Sequence, residues 1–223
     1  MSFDKQVQVT RELYDYMLDH SLAPDPVQRG VIERTRAMGR FAQLQVPAEQ
    51  GALLTLLAGV VRPKVAVEVG TFTGYSALCI AKGLAEGGRL LCCDISEEWT
   101  EIAVEAWREA GVADRIDLRI APALETLDAL PSQPHIDLAF IDADKVGYIS
   151  YWEALVPRMR PNGLLIADNV LYDGRVVKPQ GEPTPEAVHA FNEHVKADRR
   201  IEQVVLPVAD GITLARVKSL DER

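Results

Sequence analysis

The apolar run Ile136–Ile141 ends in Asp142, and Asp144 and Lys145 follow within four residues. A second run, GLLIADNV (163–170), carries Asp168 and Asn169 at its end. Charges placed straight after buried strands are costly unless something there uses them. Asp142, Asp168 and Asn169 would supply three hard oxygen ligands and no soft atom. Such a set suits Mg²⁺, with Mn²⁺ or Ca²⁺ as substitutes, and leaves positions for water and substrate. Adjacent parallel strands lie less than about 5 Å apart, so the two strand ends would share one rim. Taken singly, each aspartate also reads as a loop or cap residue, and an Asp-Asn pair also favours a turn. Without a cation the carboxylates would repel, and one would hold its proton more tightly.

EVGTFTGYS (68–76) follows an apolar run and opens a helical pattern. Gly70 and Gly74 do not complete G-x-G-x-x-G, because Phe72 stands where the second glycine would let backbone approach a pyrophosphate. An NAD(P)-dependent oxidoreductase is thereby disfavoured. Gly70 allows a tight turn, and the N–H groups of Gly70 to Tyr75, Thr71 and Phe72 included, lie with the Ser76 hydroxyl near a helix N-terminus suited to an anion. Asp94, closing RLLCCDI (89–95), can accept two ribose hydroxyls or cap the next helix; Ser96 is an alternative cap.

These residues need a scaffold that brings strand ends together. From Lys64 onward, apolar runs at 65–70, 89–95, 115–121, 135–142 and 163–170 alternate with helical patterns near 76–85, 97–110, 124–130 and 151–159. That alternation predicts an α/β fold, a doubly wound, mostly parallel sheet with ligands at the strands' carboxyl ends. After a helix at Pro185–Ala197, runs at 201–209 and 211–218 are separated by little more than Asp210, which predicts an antiparallel hairpin and seven strands in all. Three N-terminal helices are expected at 4–20, 26–42 and 47–60, with Pro47 in the first turn of the third. The organisation expected is one domain, 1–223, comprising a helical addition (1–60) and a core (61–223).

The net charge of −9 opposes nonspecific nucleic-acid binding. No apolar segment reaches the length of a membrane span, and the charged start has no signal-peptide core. Cys79, Cys92 and Cys93 lie in apolar runs and read as buried thiols of a reducing cytoplasm. The four histidines show no zinc spacing, and none accompanies a nucleophile motif.

EVGTFTGYSAL, Asp94, FIDADK, ADNVLYDGRV and LPVADGITLAR, in this order, resemble the cation-dependent class I O-methyltransferases of the caffeoyl-CoA and catechol type, in a short bacterial form. The resemblance covers about Phe41 to Val217, and a parallel sheet ending in an antiparallel pair agrees with it. It implies that the glycine loop binds S-adenosylmethionine, with Glu68 at the amino group, Asp94 at the ribose, Val46 at the methionyl end and Ala121–Ala123 bordering the adenine. Trp99 would lie near that adenine or simply pack.

The same resemblance implies a metal on Asp142, Asp168 and Asn169, with Asp142 also near the methyl end. Lys145 would be the general base, like charge favouring its neutral form, or an orienting donor. Asp144 has no counterpart and reads as solvated or as an acid at a helix start. Tyr172, Arg175 and residues 38–44 are candidate walls for a small catechol-like phenol. Arg34, Arg36 and Arg40 read as a solvated face rather than a CoA site. The family is usually dimeric, so a homodimer is expected. A noncatalytic S-adenosylmethionine-binding module is a further alternative, opposed by the Lys145 placement.

Overall fold

The computed structural model describes residues 7–222. Among them, seven strands form one sheet: β1 (Val65–Val69), β2 (Arg89–Asp94), β3 (Ile116–Ile120), β4 (Ile136–Ile141), β5 (Met159–Asp168), β6 (Ile201–Leu206) and β7 (Ile212–Val217). Their order is β3-β2-β1-β4-β5-β7-β6. The pairs among β1 to β5 are parallel, and β7 runs antiparallel to both β5 and β6. The chain starts at β1, winds outward to β3 and returns through β4. The carboxyl ends of β1 and β4 therefore face each other at the switch point, where such sheets place ligands.

Among the described residues eight α-helices accompany the sheet: α1 (Arg11–Asp19), α2 (Pro26–Ala37), α3 (Ala48–Val61), α4 (Tyr75–Gly83), α5 (Glu97–Glu109), α6 (Ala123–Asp128), α7 (Tyr148–Leu155) and α8 (Pro183–Ala197). Period-two alternation sends successive strand residues to opposite faces. Ala66, Leu138 and Phe140 thus pack with Leu54, Leu78 and Trp107 from α3, α4 and α5. Val67, Ala139 and Ile141 pack with Leu127, Trp152 and Phe191 from α6, α7 and α8. Burial on both faces is why the strands read as continuous apolar runs.

Several boundaries differ from expectation. The first helix spans Arg11–Asp19 rather than 4–20, and positions 4–6 lie outside the described residues. The second ends at Ala37, because Gly39 has φ +65° and a 3₁₀ turn follows over Gly39–Leu44. The helix after β4 begins at Tyr148 and ends at Leu155, so Met159 already belongs to β5. The terminal hairpin is linked by residues 207–211, a wider link than Asp210 and its neighbours: Pro207 lacks the N–H to continue the ladder, and Ala209 and Gly211 have positive φ. This link returns to the end of β5, where Val170 and Leu171 N–H groups donate to the carbonyls of Gly211 and Asp210.

By length and composition alone the helical stretch Gly39–Val61 is apolar enough to cross a membrane. It is broken at Gln45–Pro47, where the backbone is extended. The remaining 14-residue α3 reaches only about 21 Å, short of a hydrocarbon core.

Candidate active site

A cavity of about 1240 Å³ opens over the carboxyl ends of β1, β2, β4 and β5. Of the residues named for the cofactor, the metal and the base, Val46, Gly70, Thr71, Phe72, Tyr75, Ser76, Asp94, Ala123, Asp142, Lys145, Asp168 and Asn169 line it, and Glu68 does not. Its volume exceeds that usual for one drug-sized ligand, leaving room for two small molecules. Tyr172, Arg175, Trp99, Gln43 and Leu44 contribute walls, whereas Met38 and Arg40 do not. A separate cavity of about 660 Å³, near β3 and α6, shares only Ala121 with this one.

At the switch point the two strand ends nearly touch. Gly70 has φ +94°, and a Cβ there would lie 1.9 Å from the Asp142 carbonyl oxygen. Only glycine meets both demands. The N–H of Gly70 is held by the Cys93 carbonyl at 2.9 Å and that of Asp142 by Val69 at 2.8 Å, so β2, β1 and β4 are tied at this rim.

The Asp94 carboxylate accepts four backbone N–H groups: Thr71 and Phe72 on Oδ2 at 3.0 and 2.7 Å, Ile95 and Ser96 on Oδ1 at 2.7 and 2.8 Å. Ser96, not Asp94, caps α5 through the Trp99 N–H. Two of the loop N–H groups expected to meet an anion are thus taken by Asp94. Ribose hydroxyls would share oxygens that each already hold two donors. Phe72, at φ +51°, meets Trp99 edge-on at 5.2 Å, and Phe41 packs on the same indole at 5.4 Å. Ile95 is 76% exposed and lines the cavity with Ala121 and Ala123.

Glu68 is wholly buried on β1, and burial pushes its carboxyl up to about 8, although the Cys92 thiol donates to Oε2 at 3.5 Å and the nearby Ser76 and Thr71 hydroxyls favour the ionised form. Its Oε1 has no hydrogen-bond partner among the described residues. A buried, unpaired carboxyl oxygen beside a ligand cavity is the complement of a cationic nitrogen. Val46 and Tyr75 are buried at the adjoining wall. Gly51 of α3 packs against the Tyr75 ring, and the Thr35 hydroxyl of α2 donates to that of Thr73 at 2.8 Å, tying the N-terminal helices to the loop.

The residues after β4 fold back on one another. Asp144 Oδ2 accepts the Gly147 N–H at 3.0 Å and Oδ1 the Tyr151 hydroxyl at 2.5 Å, so Asp144, though exposed to solvent, is also an acid capping the turn into α7. This turn directs Lys145 inward: its Nζ donates to Asp142 Oδ1 at 3.1 Å and to the Tyr148 hydroxyl at 2.7 Å. Tyr148 donates in turn to the Asp168 carbonyl at 3.1 Å, bridging β4 to β5. Burial raises the Tyr148 phenol well above its ordinary value, which keeps it neutral.

Asp168, 2% exposed, has its carboxyl pushed up to about 7, first by burial and then by Asp142. Asn169, at φ +53°, turns its N–H onto Asp168 Oδ1 at 2.7 Å. The wall after β5 is set by Tyr172, Asp173 and Gly174, all at positive φ, and by the Asp173 N–H on Asp210 Oδ1 at 2.7 Å. Tyr148, Tyr151, Asp210 and Gln50 were not singled out from the sequence. Only Tyr148, three residues beyond Lys145 at a helix start, had a spacing that placed it beside a chosen residue.

The strand order, with an antiparallel β7 inserted between β5 and β6, and the ligand cavity over β1 and β4 define a Rossmann-like methyltransferase fold. The O-methyltransferase family profile matches residues 19–218. A caffeoyl-CoA O-methyltransferase of Eucalyptus gunnii is 37% identical over 92% of this chain and 86% of its own. Catechol O-methyltransferase domain-containing protein 1 of Mus musculus is 37% identical over 91% and 79%. The crystal structure of an O-methyltransferase from Bacillus cereus in complex with SAH superposes with a TM-score of 0.83 at 30% identity, covering 92% of this chain and 96% of that one. The chain belongs to the O-methyltransferase family.

Proposed function

We propose that the protein transfers the methyl group of S-adenosylmethionine to one hydroxyl of a vicinal dihydroxy phenol, with a divalent cation held by Asp142, Asp168 and Asn169. The observation that carries this reading is the meeting of those three residues and Lys145 on the wall of the cavity that the glycine loop also lines. The unpaired Oε1 of Glu68 suits the cofactor's ammonium group. Two adjacent carboxylates, one of them buried with its carboxyl raised, suit a small dication. The S-adenosylhomocysteine complex of the Bacillus cereus relative and the names of the plant and mouse relatives agree with it.

A cation bound at this rim would stabilise the anionic form of the acceptor hydroxyl. Lys145, whose Nζ reaches Asp142 and Tyr148, would take the hydroxyl proton as the neutral amine, or as the ammonium would orient the acceptor oxygen. The phenolate oxygen then forms its bond to the methyl carbon as the carbon–sulfur bond breaks in line, and sulfur leaves as a neutral thioether. Alignment by the cavity walls supplies much of the acceleration.

A free phenol suits the cavity better than a CoA ester. Arg34 is paired with Glu105 at 3.2 Å, Arg40 lies over the Phe41 ring, and neither lines the cavity. A homodimer belongs to the same proposal, supported by the exposed Leu56 and Val60 of α3, and sedimentation at micromolar concentration tests it. Methyl transfer across a panel of vicinal dihydroxy phenols, with and without EDTA, tests the reaction. Turnover should vanish with EDTA and in Asp168→Ala, and fall at least ~100-fold in Lys145→Ala. Full turnover in EDTA would remove the cation from this reading.

A further inference from the structure

Among the described residues, four buried side-chain polar atoms around this one cavity have no hydrogen-bond partner: Glu68 Oε1, Gln45 Oε1, and both Oε1 and Nε2 of Gln50. Glu68 is accounted for by the cofactor's ammonium. Gln50 is not. Its side chain is wholly buried, yet it lines the cavity. Native interiors seldom leave a whole amide unpaired, and each such group asks for a partner that arrives later. Gln50 cannot withdraw to find one, because the next residue, Gly51, is packed on the Tyr75 ring and Leu54 is anchored in the core one turn on.

The sheet order decides which ligand that partner is. Along the rim, Asp94 ends β2, Gly70 follows β1, Asp142 follows β4 and Asp168 ends β5. The proposed cofactor spans β2 to β4, from ribose to sulfonium, so the acceptor lies beyond β4, at β5. Gln50 and Asp168 line the same cavity, and the Gln50 amide lies within reach of the Asp168 carboxylate although no hydrogen bond of full geometry joins them. It therefore faces the acceptor's half of the cavity. An amide offers what a vicinal diol needs, an oxygen to accept one O–H and an N–H to donate to a neighbouring oxygen.

Resting on the proposed reaction, we propose that Gln50 is a specificity-determining residue: its amide binds the acceptor's hydroxyl edge against the Asp142–Asp168 rim. A site built to hydrogen-bond a hydroxyl rejects analogues that lack it, because the amide is then left buried and unpaired. The test is calorimetric binding of 3,4-dihydroxycinnamate to the protein loaded with S-adenosylhomocysteine and Mg²⁺, comparing wild type with Gln50→Met and Gln50→Leu. Acceptor Kd should rise about tenfold, the equivalent of about 1.4 kcal/mol, while S-adenosylhomocysteine Kd stays within about twofold. The unliganded variants should melt no lower than wild type, since an orphaned amide has been replaced by an apolar chain of similar volume.

Unchanged acceptor affinity in both variants would overturn the proposal. So would a parallel loss of S-adenosylhomocysteine affinity, which would place Gln50 at the cofactor, or a marked fall in melting temperature, which would make it a structural residue. Failure of wild type itself to bind the diol would instead overturn the proposed reaction, and this inference with it.

Discussion

Glu68→Gln separates stability from ligand binding. The wild-type carboxyl is wholly buried, and burial moves it from the ordinary 4.5 up to about 8. A raised folded value means that the folded protein holds this proton more tightly than the unfolded chain does. The group's contribution to stability is therefore complete below about pH 4.5, shrinks as pH rises, and is lost once pH passes about 8. At about 1.4 kcal/mol per pH unit the swing is roughly 5 kcal/mol at most. For a chain of 223 residues, at roughly 2–4 °C per kcal/mol, that is on the order of 10 °C in Tm.

The amide of the variant cannot ionise, so the wild type should lose about 10 °C relative to Glu68→Gln between about pH 5 and pH 9. Differential scanning calorimetry of both proteins without ligand measures this directly. S-adenosylhomocysteine should raise the wild-type Tm more at about pH 8.5 than at about pH 5.5 if, as proposed, its ammonium pairs with the ionised carboxylate. It should shift the variant much less. Parallel Tm–pH curves for the two proteins would refute the reasoning, since they would mean that Glu68 ionises as easily folded as unfolded.

Two further substitutions probe the scaffold. Gly70→Ala adds a Cβ 1.9 Å from the Asp142 carbonyl at φ +94°, so strain and forced backbone movement should together cost about 3–5 kcal/mol; a urea midpoint equal to wild type would show that the two strand ends are not in contact. Asp198 accepts the Trp152 indole N–H at 2.9 Å and pairs with Arg200 at 2.7 Å, which holds its carboxyl down at about 2 against the cost of burial. Its stabilisation is present above about pH 4 and lost as pH falls toward 2, and Asp198→Asn should cost about 2–3 kcal/mol at about pH 7 and almost nothing at about pH 2. Equal destabilisation at both pH values, by chemical unfolding, would contradict this.

The fold was legible because one pattern, an apolar run, a turn and a helix, recurs four times and a fifth apolar run follows. Each repeat constrains the same parallel sheet, so an error at one boundary does not propagate. The errors that occurred have local causes. β5 begins at Met159, where Arg160, Pro161 and Asn162 are exposed and break the apolar run. Gly39 turns left-handed and stops α2 short of the position expected from its pattern.

The positions of the site residues were legible for the same reason, since strand ends converge wherever the sheet is parallel. Their partners were not, because a side-chain hydrogen bond depends on turn geometry rather than on spacing. Asp94 and Asp144 illustrate this. Each is an aspartate just beyond an apolar run, but Asp94 gathers N–H groups from two loops, whereas Asp144 closes its own turn and receives a hydroxyl from Tyr151. Gln50 was hidden by its helix, since α3 is apolar around most of its circumference and a polar residue in its first turn reads as solvent-facing. It lies inward because Gly51 lets α3 settle onto the Tyr75 ring. A glycine therefore decides where the neighbouring amide is buried, and any side chain at Gly51 should move Gln50 away from Asp168 before it disturbs the sheet.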